Sequence, residues 1–218
     1  MIKGGARIML AEVKNTNISA PAPNALVIVS AVKQEPIKEV YPKERQQEIE
    51  SSLNSKVKLQ KYCAWQTLKK AVEIFTKKSF KEFTFVKESS GKWVSDSFYF
   101  SLAHSEEFVA VAISNRPIGL DLQVIKPLST ELKEKILCKE EIAVYNDFSM
   151  QEQERFLLKC WCKKEAMLKQ KGESALAPQS RNTLDACFFE KELAILNKEY
   201  YLCVLTEQKE IQLIVESK

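Results

Sequence analysis

Three short apolar runs follow one another closely, at residues 98–102, 108–114 and 118–125, and then the pattern changes. Residues 131–171 read as helical for almost their whole length, with breaks expected near 138–139 and 148–150. Earlier in the chain the order is the same. The β-branched run NALVIVSAVK at 24–33 reads as a core strand, and helical segments follow at 43–53 and 61–77. A loop punctuated by Pro36 and Pro42 separates that strand from the helices. Further strands are expected at 83–87, 183–189, 200–206 and 211–215. Runs of strands alternating with runs of helices point to an α+β fold rather than a regularly alternating parallel sheet. The chain of 218 residues divides into two α+β halves, 1–110 and 111–218, with no visible sequence repeat between them.

Composition excludes several classes. The longest apolar run, Ala25 to Val32, is too short to cross a bilayer. The N-terminal MIKGGARIMLAEV has no sustained apolar core of a secretory signal, so a cytoplasmic location is expected. Six cysteines include no CxxC pair, and the single His is remote from all of them in sequence, which favours reduced, buried thiols over a zinc site. The net charge of +4 is unevenly distributed: between Lys56 and Lys92 there are ten Lys and three Glu. That stretch is suited to meet an anionic partner or to form a solvated helix face. A pI near 8.6 is modest for a nucleic-acid binder, and no sheet with interleaved aromatics is expected, which argues against nucleic acid.

Five glycines leave no phosphate loop of the Walker or dinucleotide type. Chemistry must therefore come from side chains. In a strand, Asp121 and Gln123 share one face while Leu120 and Leu122 take the other. Burying Asp and Gln side by side is costly unless something cationic sits against them. In the segment WCKKEAMLKQKG, Trp161, Glu165 and Lys169 stack at successive four-residue steps on one helical ridge, and Gly172 is placed to end that helix. Carboxylates and an amide offer the hard oxygen donors that Mg²⁺ takes, with phosphate oxygens completing its shell. A lysine one turn from a ligating Glu then neutralises the phosphate charge that the metal leaves. The sole His104, flanked by Ser101 and Ser105 at the end of a strand, is a further candidate.

The segment FSLAHSEEFVAVAISNRPIGLDLQ, followed about forty residues later by WCKKEAMLKQKG, resembles the Sfp-type 4′-phosphopantetheinyl transferases. Their signature is a Ser-His-Ser turn, a Gly-x-Asp-x-Glu strand and a W-x-x-KEA-x-x-K-x-x-G helix. The resemblance covers residues 91–172, is loose before them and has no motif beyond Pro178. It implies two similar α/β subdomains related by pseudo-twofold symmetry, with coenzyme A between them. It also implies Mg²⁺-dependent transfer of 4′-phosphopantetheine from coenzyme A to a serine of an apo carrier protein, releasing adenosine 3′,5′-bisphosphate. By position, the resemblance makes Asp121, Gln123 and Glu165 the metal residues, with Gln123 acting directly or through water. Glu165 and Lys169 become the catalytic residues, and Lys92, His104 and Lys169 become the coenzyme A contacts. The expected partner is an acidic acyl or peptidyl carrier protein of fatty-acid, polyketide or nonribosomal-peptide synthesis, served by a monomer. Three positions depart from the pattern: Gln123 replaces a Glu, Ala103 replaces the Ser before His104, and Trp93 replaces a Pro after Lys92. These departures motivate the alternative of a non-catalytic homologue that binds coenzyme A or a carrier protein.

Overall fold

The computed structural model describes residues 7–10, 23–35, 40–173 and 180–216. Pro36, Pro178 and most of the N-terminal segment read for a secretory signal lie outside them. The fold is mixed α+β, in two compact units: residues 1–118 with 207–218, and residues 119–206.

The first unit is built on a five-stranded sheet. Its strands are β1 (Arg7–Leu10), β2 (Ala25–Ala31), β5 (Tyr99–Ser105), β6 (Phe108–Ser114) and β10 (Glu210–Glu216), in the order β1-β10-β2-β6-β5. The pairs β1–β10 and β10–β2 are parallel, whereas β2–β6 and β6–β5 are antiparallel. Helix α1 (Lys43–Glu50) precedes helix α2 (Ser55–Thr76), which packs on β6, β2 and β5. A short hairpin, β3 (Phe85–Lys87) with β4 (Trp93–Ser95), closes over the core. That core gathers Leu26, Ile28, Leu68, Val72, Val111 and Ile113 with an aromatic group centred on Trp65, whose ring meets Phe80, Phe85, Trp93 and Phe100 edge-on.

Helix α2 starts at Ser55, six residues before the apolar stripe announces it. Asn54 caps its first turn by accepting from the Val57 N–H at 3.1 Å. Polar anchors replace burial there: Lys56 pairs with Glu106 at 3.2 Å, and Gln60 donates to the Glu106 carbonyl at 2.9 Å. β1 and β4 carry no clear sequence signal; both are short and occur where apolar periodicity is weak.

The second unit has a three-stranded sheet of β7 (Ile118–Val124), β9 (Lys198–Thr206) and β8 (Phe188–Ile195), in that order. β8 and β9 form an antiparallel hairpin through Leu196 and Asn197, both at positive φ. Helices α3 (Lys133–Ile136) and α4 (Lys139–Asn146) lead to α5 (Met150–Lys171), which lies on β9. The helix breaks fall where Cys138 and Ser149 take up capping positions. At the second break the Glu152 carboxylate accepts from the N–H and hydroxyl of Ser149, at 2.9 and 2.6 Å. The helix ends at Gly172, whose φ of 71° lets its N–H return to the Leu168 carbonyl.

α5 is buried on two sides. Cys160 joins Ile136, Leu137, Tyr145 and Leu157, while Cys162 joins Leu158, Ala166, Tyr201 and Cys203. A spacing of two residues on a helix separates side chains by about 200°, which sends the two thiols into different cores. The strand expected at 183–189 begins only at Phe188. Thr183 is diverted: its N–H and Oγ1 both donate to Glu141, at 2.9 and 2.7 Å, which removes it from any ladder.

Candidate functional site

Glycine 119 explains why the site exists. A Cβ built there would stand 1.9 Å from the Ala166 carbonyl oxygen and 2.8 Å from the Gln170 backbone nitrogen. Only a residue without a side chain lets β7 run this close to α5. Two residues further along, the same close approach brings Asp121 against Lys169. The ammonium lies 2.6 Å from Asp121 Oδ1, across 48 positions of sequence.

Leu120 and Leu122 are fully buried, as the alternation required. The opposite face is not open to solvent either: Asp121 is 2% exposed. Two donors meet the cost of burying its carboxylate, Lys169 on Oδ1 and the Gln123 amide on Oδ2 at 2.8 Å. The cation that burial demands is thus a side chain of the protein itself.

Glu165 sits one turn before Lys169 on α5 and is only partly buried. Among the described residues its carboxylate accepts no hydrogen bond. Burial pushes its pKa up; Lys169 pulls the other way, and the negative charge of Asp121 adds to the rise. Lys169 shows the converse balance. Burial opposes its charge, but Asp121 first and Glu165 after it outweigh burial and hold its pKa above the ordinary lysine value. Cys162, fully buried beside Cys203 and Asp121, has its pKa pushed well up by burial and stays a neutral thiol that adds no charge to the site.

The structure therefore brings four of the expected residues together in the second unit: Asp121, Gln123, Glu165 and Lys169. His104 and Lys92 belong to the first unit. His104 is exposed, within β5 and opposite Val109 of β6, one residue before the strand ends. Lys92 follows a tight turn in the β3–β4 hairpin in which Gly91, at φ 87°, donates its N–H to the Glu88 carbonyl. Its side chain is partly buried, and that burial lowers its pKa despite Glu88 nearby.

Sequence reasoning missed one residue that shapes the site. Lys164, adjacent to Glu165, is completely buried; its ammonium contacts Glu141 Oε2 at 2.5 Å and the Ile136 carbonyl at 2.6 Å. Burial pushes the Glu141 pKa up, yet Lys164, the Cys138 N–H and Thr183 outweigh burial and leave it below the ordinary carboxylate value. This network ties α5 to α3, α4 and the Thr183 segment, and so fixes the rotation at which α5 presents Glu165 and Lys169. Its one sequence signal was its place four residues after Cys160 and four before Leu168, both of them buried.

The donor set fits a hard divalent cation. Two carboxylates close enough to raise the proton affinity of one of them, with an amide beside them, make an acidic pair that a dication would relieve. Among the described residues no group of three or more His, Cys, Asp or Glu is placed to hold a metal, so the carboxylates available number two.

A family model matches the same segment. Residues 117–209 match the model of the 4′-phosphopantetheinyl transferase superfamily. Over 92 residues the chain is 32% identical to the 4′-phosphopantetheinyl transferase psf-1 of Bacillus pumilus, covering 41% of this chain and 40% of that protein. It is 30% identical over 80 residues to the 4′-phosphopantetheinyl transferase Sfp of Bacillus subtilis (strain 168), covering 37% and 36% of the two chains. Over 95 residues it is 28% identical to the 4′-phosphopantetheinyl transferase gsp of Aneurinibacillus migulanus, covering 43% and 40%. The matches span about two fifths of the length of these relatives. The segment that matches the superfamily model holds Gly119, Asp121, Gln123, Glu165 and Lys169, so the part of this chain that carries the site is similar to the 4′-phosphopantetheinyl transferases.

Proposed function

We propose that this protein transfers the 4′-phosphopantetheine group of coenzyme A to a serine of an apo carrier protein, with Mg²⁺ as cofactor and adenosine 3′,5′-bisphosphate as the released product. The observation that carries the reading is the meeting of Asp121, Glu165 and Lys169 between β7 and α5, inside the segment that matches the family.

Attack of a serine hydroxyl on phosphorus needs charge neutralisation and positioning more than covalent help from the protein. Asp121 and Glu165 would hold the metal ion, whose contribution when bound is to neutralise charge on the diphosphate. Lys169 supplies a permanent positive charge at the same place and stabilises negative charge that develops on phosphate oxygens. Glu165, with a raised pKa and no hydrogen bond of its own, is the carboxylate suited to take the serine proton. Lys92 and His104 contact phosphates of coenzyme A in this reading, on the strength of the family resemblance. The proposed duplicated plan of the two halves is supported by the way each unit sets one 22-residue helix, α2 or α5, against its own sheet.

An acidic carrier protein fits the basic stretch formed by α2 and the residues just after it. Lys69, Lys77, Lys78 and Lys81 stand exposed, and among the described residues none of them forms an ion pair. Such a surface speeds encounter with a negatively charged partner. No described helix is long and apolar enough to cross a membrane. A cytoplasmic monomer is the state proposed.

One observation favours a second reading, that of a homologue that binds coenzyme A or a carrier without transferring: a neutral Gln123 stands where the family pattern has a carboxylate. Both readings are separated by intact-mass measurement of a panel of apo carriers after incubation with the protein, coenzyme A and Mg²⁺. A gain of one phosphopantetheine on at least one carrier is expected. Glu165→Ala should slow that gain by about a hundredfold or more, the range for losing a proton-accepting group. Full activity in that variant removes Glu165 from the mechanism, and no gain on any carrier, with coenzyme A still bound, selects the second reading.

A further inference from the structure

The arrangement around Asp121 decides which of these residues are free to meet a metal ion, and when. A carboxylate in an ion pair with Lys169 has no proton to give, so its 2.8 Å contact with Gln123 requires the amide N–H₂ as donor. A planar amide that turns its nitrogen toward Asp121 turns its carbonyl oxygen away from that carboxylate. The other Asp121 oxygen carries the Lys169 ammonium at 2.6 Å, and the Asp121 side chain is 3% exposed. A dication cannot share that oxygen with an ammonium without strong like-charge repulsion. In the free protein, one carboxylate of the pair is therefore already neutralised, the amide is employed as a donor, and Glu165 alone has its carboxylate unengaged.

We infer that Gln123 is a positioning residue, not a metal ligand: it holds Asp121 through a donated hydrogen bond, and the divalent ion enters with the diphosphate of the nucleotide instead of binding the free protein. This rests on the transferase reading of the same site. The diphosphate supplies the ligand oxygens that Gln123 does not, and it competes with Asp121 for Lys169, freeing Oδ1. A Glu at position 123 would reverse the order. It cannot donate to Asp121, and it would add a third negative charge to the site.

Mn²⁺ is a suitable probe, since it accepts the same hard oxygen donors and its free form is counted directly by electron paramagnetic resonance. Mn²⁺ is titrated into wild-type protein alone, into wild type with saturating coenzyme A, into Gln123→Glu alone, and into Gln123→Ala with coenzyme A. Buffer with coenzyme A alone is the baseline. Wild type alone should capture Mn²⁺ about tenfold or more less tightly than either wild type with coenzyme A or Gln123→Glu alone. Gln123→Ala with coenzyme A should still capture it above the coenzyme A baseline, weakened at most by the tenfold to about a hundredfold that a less firmly held Asp121 costs. Three results overturn the inference: equal capture by wild type and Gln123→Glu without nucleotide, no gain in capture on adding coenzyme A, or no capture above the baseline in Gln123→Ala. The mass assay on the same preparations keeps the two readings apart. Transfer by a protein that captures Mn²⁺ unaided overturns the role of Gln123 alone. Coenzyme A-dependent capture without transfer supports that role and removes only the catalytic reading.

Discussion

Helix α5 carries two lysine–carboxylate pairs five residues apart, and they are built in opposite ways. Lys164 and Glu141 are both 0% exposed. Glu141 is saturated by Lys164, the Cys138 N–H, and the N–H and hydroxyl of Thr183, and Lys164 also reaches the Ile136 carbonyl. Lys169 and Asp121 are sealed on one side only: the aspartate is 3% exposed, the lysine 31%, and Glu165 stands by with a charge that Lys169 offsets only in part. A saturated pair has nothing left to offer a ligand. An open pair with a surplus carboxylate does. The proposed chemistry therefore finds room at the second pair, and the first holds the helix that carries it.

The largest expected effect comes from breaking the sealed pair. Lys164→Met leaves a buried carboxylate without its cation and should cost about 3–5 kcal/mol in urea unfolding. Adding Glu141→Gln should restore part of this, because an amide oxygen still accepts from Thr183 and no charge remains to be compensated. The pH dependence has a definite sign. The folded-state pKa of Glu141 is depressed, so its contribution is complete above the ordinary value of 4.5 and is lost as pH falls through the lower folded value. The gap between wild type and Lys164→Met should close as pH falls, first as the buried carboxylate of the variant takes up a proton above 4.5 and then as the wild type loses its contribution below it. A constant gap would mean that the pair does not titrate with unfolding.

The approach of β7 to α5 is the next target. Gly119→Ala places a methyl carbon 1.9 Å from a backbone oxygen, and backbone has little room to yield. Overpacking of this kind costs about 1–3 kcal/mol, and the displacement it forces separates Asp121 from Lys169. Stability and transfer should both fall. A variant as stable and as active as wild type would show that Gly119 is not there for close packing.

The smallest effect, and opposite in sign, is expected at the open pair. The pKa of Glu165 is raised in the folded protein, so its ionisation at neutral pH opposes folding. With chelator present, Glu165→Gln should melt slightly above wild type at pH 7. The difference should vanish below the ordinary value of 4.5, where the carboxyl is protonated in both folded and unfolded chains. A lower melting temperature at pH 7 would mean that the Glu165 charge is compensated by a contact the geometry does not reveal.

Much of this comparison could be read from residue order. Apolar runs placed β5, β6 and β7, alternation put Asp121 and Gln123 on one face, and four-residue steps aligned Glu165 with Lys169. The cost of burying Asp121 called for a cation, though not for the particular lysine that provides it. The sealed pair was invisible for a physical reason. Lys163 and Lys164 are the same residue type one position apart, and only the rotation of about 100° between them decides their fates. The first reaches Glu190 at the surface at 2.9 Å, while the second reaches the interior. That rotation is set by Cys160 and Cys162 entering separate cores, which is a tertiary fact. Thr183 was misjudged because a β-branched residue in an apolar run looks the same whether it joins a ladder or seals a carboxylate.

The strand order has a consequence for how the molecule is made. β10, from the far end of the sequence, lies between β1 and β2 and contributes the buried Leu213 and Ile214. A ribosome thus delivers β2, β5, β6 and the whole of residues 119–206 before the piece that completes the first sheet. Until then one side of β2 keeps a row of unsatisfied amides and carbonyls, the kind of edge on which chains pair with the wrong neighbour. Residues 119–206 can be cut out for study as one continuous piece, whereas the first unit cannot be obtained by stopping synthesis early; it needs its two ends rejoined.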